Sequence, residues 1–336
     1  MKYVYGILVA LVLILGILTL DPSLISIGGT SLALVYPISQ IIAMRGIIAI
    51  VLGVLGIMIA MIAIIRALML RRGIFLGVLS AGLILLAGGH LLVLADRGLS
   101  ATTALPPDYG VTHVSQGNGD ITVLSYNTLG GQTSMDDLAP VAADNGVDVI
   151  ILTETSTQSA EALAGSLSQN GRTFSVYSSG ADPNNPEIES TAILVSSALG
   201  EYRQGPDLGL SWGSVHLRST GDGPDIIGVH PVAPVREFQD KWKAEITAIY
   251  EQCSGAQNTI MAGDFNSTID HMHATGAECS SALDGFVGGY GTWPASVPGI
   301  LGSPIDNVYT DWTTKSATVV QVGGSDHRGV LVRLAR

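Results

Sequence analysis

The sequence predicts a layered α/β sandwich preceded by three membrane-spanning helices, and three observations carry that prediction. The first 97 residues contain no Glu and only Asp21, Asp96, Lys2 and five Arg, so nearly all acidic residues lie downstream. Three apolar stretches in this part come near the roughly 20 residues that carry a helix across a hydrocarbon core of about 30 Å. They are Val4 to Leu20, Gly46 to Ile65 and Ile74 to Ala95. Beyond residue 118, short β-rich runs alternate with amphipathic ones.

Met1-Lys2 ahead of an apolar run also fits a signal peptide, but "ILTLDPS" has no small-x-small cleavage site and two further spans follow, so an uncleaved anchor is expected. Residues 23 to 44 are interrupted by Gly28, Gly29, Pro37 and Gln40, which predicts a surface or re-entrant segment and no fourth span. Arg66, Arg71 and Arg72 crowd the loop between spans two and three. By the positive-inside rule that loop is cytoplasmic, together with Lys2, and three crossings leave residues 98 to 336 outside the cell membrane. Cys253 and Cys279 both fall in that outer part, where either a disulfide or a buried pair of free thiols is compatible with the sequence.

Residues 98 to 118 mix Gly, Ser, Thr and a Pro-Pro pair without apolar periodicity and read as a linker, so the domain spans 119 to 336. Within it "ITVLSYN", "VDVIILTE", "TAILVSS", "DIIGVHP", "TIMAGDF" and "GVLVRL" read as strands. Most are apolar throughout, as expected of a sheet covered on both faces. In "PVREFQDKWKAEITAIYEQC" apolar residues recur at Val235, Phe238, Trp242, Ile246, Ile249 and Cys253, which predicts a helix with Pro234 in its first turn. Two more helices are expected, Met135 to Ala143 and Gln158 to Leu167.

These segments present a restricted set of polar residues at their ends. "LSYN" delivers Asn127, "IILTE" Glu154, "IIGVH" His230 and "MAGDFN" Asp264 and Asn266. "SPIDNVYT" supplies Asp306 from a loop, and "GGSDHRGV" supplies Asp326 and His327. A lone Asn or Asp after a strand is usually a turn or cap residue, and His230 alone reads as a core histidine; the recurrence is what points to a site at one sheet edge. Glu154 and Asp326 are hard oxygen ligands and Asn127 adds a neutral oxygen, types that suit Mg²⁺ or Mn²⁺ better than Zn²⁺. His271 and His273 in "DHMH" are two residues apart and cannot share one helix face, so they are expected in a loop near the pocket.

In order, "SYN", "DVIILTE", "GVHP", "GDFN", "ID" and "SDHRGV" resemble the endonuclease/exonuclease/phosphatase superfamily, which includes pancreatic-type deoxyribonucleases, abasic-site endonucleases, inositol polyphosphate phosphatases and neutral sphingomyelinases. "GTWP" at 291 to 294 resembles a branch of membrane-anchored, actinobacterial-type members. The resemblance covers about residues 119 to 336 and implies a two-sheet α/β sandwich of the DNase I-like type with its pocket at the strand ends. It implies that Asn127, Glu154 and Asp326 hold the metal, that Asp264 polarises the attacking water, and that Asn266 orients the water or the phosphate. His230 and His327 would hydrogen-bond the phosphoryl oxygens, and Asp306 would fix the tautomer of His327. The sequence departs from the family at "SDHRGV" in place of "SDHRPV". It also departs at Leu129, where abasic-site endonucleases carry a further acidic ligand.

Composition bears on the substrate. The outer part carries ten Lys and Arg against 26 Asp and Glu, which disfavours a polyanion, because phosphate neutralisation supplies most non-specific nucleic-acid affinity. A phosphate ester on a lipid headgroup or envelope glycolipid is therefore expected ahead of DNA or RNA, with membrane lipids as neighbours. A nuclease is the alternative, and a non-catalytic scaffold whose spans pack on a partner through Gly53, Gly56, Gly77 and Gly82 is the second. His90 is the one ionisable residue within a span and is read as facing a partner, a cavity or the interface. Tyr290 and Trp293, in a Gly-rich loop, are expected to pack on the sheet edge ahead of touching a lipid or sugar.

Overall fold

The computed structural model describes residues 2–69, 73–101, 105, 119–169, 171–180, 187–188 and 190–336. Arg71, Arg72 and most of the 98–118 linker lie outside the described residues.

Among the described residues three helices are long and apolar enough to cross a membrane: α1 (Lys2–Leu20), α3 (Arg45–Leu68) and α4 (Ile74–Arg97). Between α1 and α3 the chain forms a short hairpin, β1 (Ser26–Ile27) and β2 (Thr30–Ser31), and a six-residue helix α2 (Ile38–Ala43). Gly, Pro and Gln break this segment into pieces too short to span. It packs instead on the C-terminal α/β domain, where Gln40 Nε2 donates to the Pro234 carbonyl at 3.0 Å and Gln239 Nε2 donates to the Leu34 carbonyl at 2.9 Å.

The α/β domain follows in chain order as β3 (Ile121–Asn127), α5 (Met135–Asp144), β4 (Val149–Thr153), α6 (Thr157–Gln169), β5 (Phe174–Ser178), β6 (Thr191–Ser196), β7 (Tyr202–Gln204), β8 (Ser214–Ser219), β9 (Asp225–Val229), α7 (Gln239–Cys253), β10 (Thr259–Asp264), α8 (Ile269–Ala274), β11 (Asp306–Thr310), β12 (Thr313–Val320) and β13 (Gly329–Ala335). Two sheets result, ordered β12-β13-β3-β4-β6-β5 and β11-β10-β9-β8-β7.

Strand periodicity sorts the residues into layers. Ile121 and Val123 of β3 face Ile260 and Ala262 of β10 across the central core, while Leu124 and Tyr126 point outward to Leu138, Ala160 and Leu163 of the helical layer. On the far side, Ile227, Val229 and Met261 pack against Trp242, Ile246, Ile249 and Tyr250 of α7. Both faces of each sheet are covered, which is why the strands read as continuous apolar runs. Gly263 lies where β10 runs closest to β9; a Cβ there would sit 2.0 Å from the Val229 carbonyl oxygen.

Three expectations are corrected. The α7 helix begins at Gln239, because the Phe238 N–H bonds the Val235 carbonyl at 3.0 Å in a 3-10 turn over Arg236–Phe238. Val235 and Phe238 are consequently exposed and lie outside the buried face. Asp306 opens a strand where a loop was expected, and α8 forms where His271 and His273 were expected in a loop.

Cys253, the last residue of α7, is bonded to Cys279 with a Cα–Cα distance of 5.5 Å. The bridge closes a loop of sequence separation 26 and ties α7 to the chain leaving α8. Replacing both cysteines with Ser is expected to cost about 3 kcal/mol through the freed unfolded chain. For a domain of this size that lowers the thermal midpoint by roughly 6–12 °C, measurable by scanning fluorimetry in detergent.

Candidate active site

The inner-face periodicity that builds the core also assembles the site. Asn127 continues the inward series of β3 and Asp264 that of β10, so two polar residues meet where the facing strands end: Asn127 Nδ2 donates to Asp264 Oδ2 at 3.1 Å. Asp306 is the register partner of Asp264 across the antiparallel β10–β11 pair. Likewise β13 runs antiparallel to β3, so the chain entering β13 brings Asp326 and His327 to the same edge. Strand starts and strand ends meet here because the pairs that carry them are antiparallel.

Asp264 is the hub of the cluster and is 2% exposed. Its Oδ2 lies 3.6 Å from both His230 Nε2 and His327 Nε2, and its Oδ1 accepts the Asn266 N–H at 2.8 Å. His327 Nδ1 pairs with Asp306 Oδ2 at 2.9 Å, and Thr292 Oγ1 in turn accepts the Asp306 N–H at 3.1 Å. Glu154 Oε1 accepts from Asn127 Nδ2 at 3.1 Å and lies 3.9 Å from His230 Nε2. The Asn266 side chain points away from Asp264, donating to the Pro231 carbonyl at 3.0 Å, so that only its backbone reaches the hub. Leu129, Glu154 and Asn266 have φ of 52°, 53° and 45°, strained for residues with a Cβ, and all three border this cluster.

The electrostatics separate the two histidines. Burial works against a charge on His327, but Asp306 and Asp264 outweigh it and push its pKa up to about 10. For His230 burial outweighs the pull of Asp264 and lowers the pKa to about 4, and its Nδ1 is without a hydrogen-bond partner among the described residues. Burial raises Asp264 and Glu154 above the ordinary carboxylate range, Glu154 with help from Asp264 and Asp326.

A divalent cation fits this arrangement. Glu154 and Asp264 converge on the Asn127 amide nitrogen, which fills the place of positive charge between them, and Asp326 Oδ1 is buried without a hydrogen-bond partner among the described residues, 3.9 Å from His327 Nε2. The Asn127 oxygen is held by the Leu129 N–H at 2.9 Å, so a half-turn of the amide would bring it to the carboxylate side. Asp264, Asp306 and His327 also bring ligand atoms within 4.8 Å of one another. A metal there would have to displace the proton that Asp306 and Asp264 hold on His327, so the grouping is suited to proton chemistry.

Two sequence expectations were incomplete. Trp293 does not pack on the sheet edge: it is 40% exposed and its Nε1 donates to Asp326 Oδ2 at 2.8 Å. Tyr290 does pack on the core, with the Arg328 guanidinium over its ring. His271 is buried and hydrogen-bonded within the protein, while His273 is exposed.

A model of the Endonuclease/Exonuclease/phosphatase family matches residues 124–327. The chain belongs to this family. Its members hydrolyse phosphate esters with a divalent metal, and the chain is an enzyme of that kind. Among solved structures, a humanized D. rerio TDP2 carrying 14 mutations is 13% identical, with 64% of this chain and 98% of that one aligned at a TM-score of 0.51. An AP endonuclease from Archaeoglobus fulgidus is 14% identical over 63% and 98% of the two chains, with a TM-score of 0.47. A family protein from Leptotrichia buccalis is 16% identical over 64% and 99%, with a TM-score of 0.46. At these identities the likeness is one of fold. A search among curated proteins found no match.

The His327–Asp306 pair has a pH signature. Because the folded pKa is raised, its contribution to stability is full below about pH 6.5 and is lost as pH rises through about 10. Unfolding of the metal-free chain followed from pH 6 to 10.5 is expected to show this alkaline loss in the wild type and a flatter profile in Asp306→Asn.

Proposed function

We propose that this family member is a membrane-anchored phosphoesterase with its catalytic domain outside the cell membrane, hydrolysing a phosphodiester or phosphomonoester of a lipid headgroup or envelope glycolipid. The observation that carries the catalytic reading is Asp264 Oδ2 standing within 3.6 Å of two buried histidines, one of them backed by Asp306.

In this reading Asp264, with its pKa raised, accepts the proton of the attacking water, and the Asn266 N–H keeps its carboxylate turned toward the pocket. His327, cationic at neutral pH, donates a hydrogen bond to a phosphoryl oxygen, where a fixed positive donor counts most. Asp306 orients the ring and keeps its proton on Nε2 available. His230, buried and neutral, gives a second donor from the opposite side. Glu154, Asp326 and Asn127 would hold Mg²⁺ or Mn²⁺. When bound, the ion neutralises charge on the phosphoryl group and eases departure of the leaving oxygen.

The substrate class is argued from charge and tethering. Of the few basic residues outside the long helices, Arg328 is buried and donates to the carbonyls of Gly291, Ala295 and Val297, and Arg172 pairs with Asp148, so neither is offered to a polyanion. Three helices with the composition of membrane spans, and the Arg66, Arg71 and Arg72 loop that the positive-inside rule places in the cytoplasm, support a pocket held near the outer bilayer surface.

Full-length protein in detergent is to be assayed with Mg²⁺ on bis-p-nitrophenyl phosphate, phospholipid micelles and plasmid DNA. Asp264→Asn and His327→Ala are each expected to lose about 10³-fold in kcat. Turnover of the phospholipid ahead of DNA is the expected ranking. Full activity in Asp264→Asn would remove the assigned base, and DNA cleavage dominating the panel would make the chain a tethered nuclease.

A further inference from the structure

A second buried charged cluster takes no part in the chemistry above. Arg45, the first residue of α3, donates from Nε to Asp270 Oδ2 at 2.8 Å and from Nη2 to Oδ1 at 2.6 Å. Arg97, the last residue of α4, grips the same carboxylate at 2.9 and 2.8 Å. Arg45, Arg97 and Asp270 are 4, 12 and 8% exposed. Burial opposes the charge on Asp270, but the two guanidinium forks outweigh it and hold the carboxyl well below its usual range. Arg45 also donates to the Leu20 carbonyl at the end of α1 and faces His90 Nδ1 at 3.3 Å, while His90 Nε2 lies 2.9 Å from Thr19. The start of α3 and the end of α4 thus converge on one residue of α8, and the end of α1 joins them through Arg45.

Asp270 is close in sequence to Asp264, and the connecting residues are fixed by the same neighbourhood. His271 Nε2 meets the Ser39 carbonyl at 2.9 Å and its Nδ1 meets the Thr268 N–H at 2.9 Å. A carbonyl requires a donor and an N–H an acceptor, so the ring is neutral with its proton on Nε2. The His271 ring stands edge-on to Trp242, centroids 5.1 Å apart, and Trp242 Nε1 donates to the Asn266 carbonyl at 2.9 Å. Asn266 in turn holds Asp264 Oδ1. The α3 end also abuts the loop behind Asp326: a Cβ on Gly46 would lie 1.6 Å from the Ile300 carbonyl oxygen.

We propose that Arg45 and Arg97 are positioning residues for catalysis: by clamping Asp270 they seat α8, and with it the Thr268, Trp242 and Asn266 contacts that fix the Asp264 carboxylate. The long helices are then part of the catalytic apparatus as well as its tether. This rests on the reading of Asp264 as the proton acceptor.

The test uses the full chain in detergent with bis-p-nitrophenyl phosphate, a soluble diester for which delivery from a bilayer plays no part. Arg97→Met is expected to lower kcat about tenfold, the scale of a small misplacement of a reacting group, and to leave KM within about twofold. Arg97→Lys keeps the charge and loses the fork, so it is expected to recover about a third of the lost rate. A helix that only tethers would move neither number. Should Arg97→Met fail to fold, Arg97→Lys carries the test by itself with an expected loss of about threefold in kcat. Wild-type kcat in a folded variant overturns the inference. Asp264→Asn run alongside separates the two claims: if it too retains turnover, the reading of the site falls; if it alone is inactive, only the positioning role does.

Discussion

A carboxylate that is 2% exposed, with three side-chain nitrogens around one of its oxygens, is the constraint from which the rest of this active centre follows. Burial of Asp264 raises the cost of its charge, and the charge is retained only because hydrogen-bond donors surround it. Against the cost of its own burial, His327 is held cationic by Asp306 and Asp264 together, whereas His230, with no carboxylate on Nδ1, is left neutral. One buried group thus divides two chemically identical rings into a fixed cation and a neutral donor. The surplus of carboxylates, Glu154 and Asp326 beyond the Asp264–Asp306 pair, is what calls for a metal.

Register makes this constellation reproducible. Asp264 and Asp306 are paired across β10 and β11, and Asn127 and Asp264 terminate the inner-face series of strands from opposite sheets. A slip of one residue in either strand would turn these side chains out of the pocket and simultaneously drive the core residues Ile260 and Val123 to the wrong face. The energy that holds the catalytic register is therefore core burial, at about 1.5–3 kcal/mol for each large apolar side chain.

Much of this was legible in the sequence, for physical reasons that also explain the gaps. The six strands that were read are covered on both faces, and the polar residue at the end of each apolar run stood out against it. The strands that were missed are short, polar or lie at sheet edges: β7 and β8 carry Arg203 and Arg218 as register partners, and β12 is buried only from Thr318 onward. Asp306 and His327 were recognisable from the motifs around them, whereas the bond from Trp293 to Asp326 depends on a loop path that no local pattern encodes. Arg45 and Asp270 are 225 residues apart, and nothing near either announces the other.

The long helices and the α/β domain share a buried ionic interface, so the pocket has a fixed relation to the helix ends. The chemistry at Asp264 depends on a carboxylate cluster that would take one divalent cation beside two histidines. Titration of the full-length chain with Mn²⁺, followed by electron paramagnetic resonance of the free ion, tests it most directly. One tight site per chain in the wild type, displaced by Mg²⁺ and abolished in Glu154→Gln, is the result the account predicts. Undiminished binding in Glu154→Gln, or no binding by a folded wild type, would contradict it.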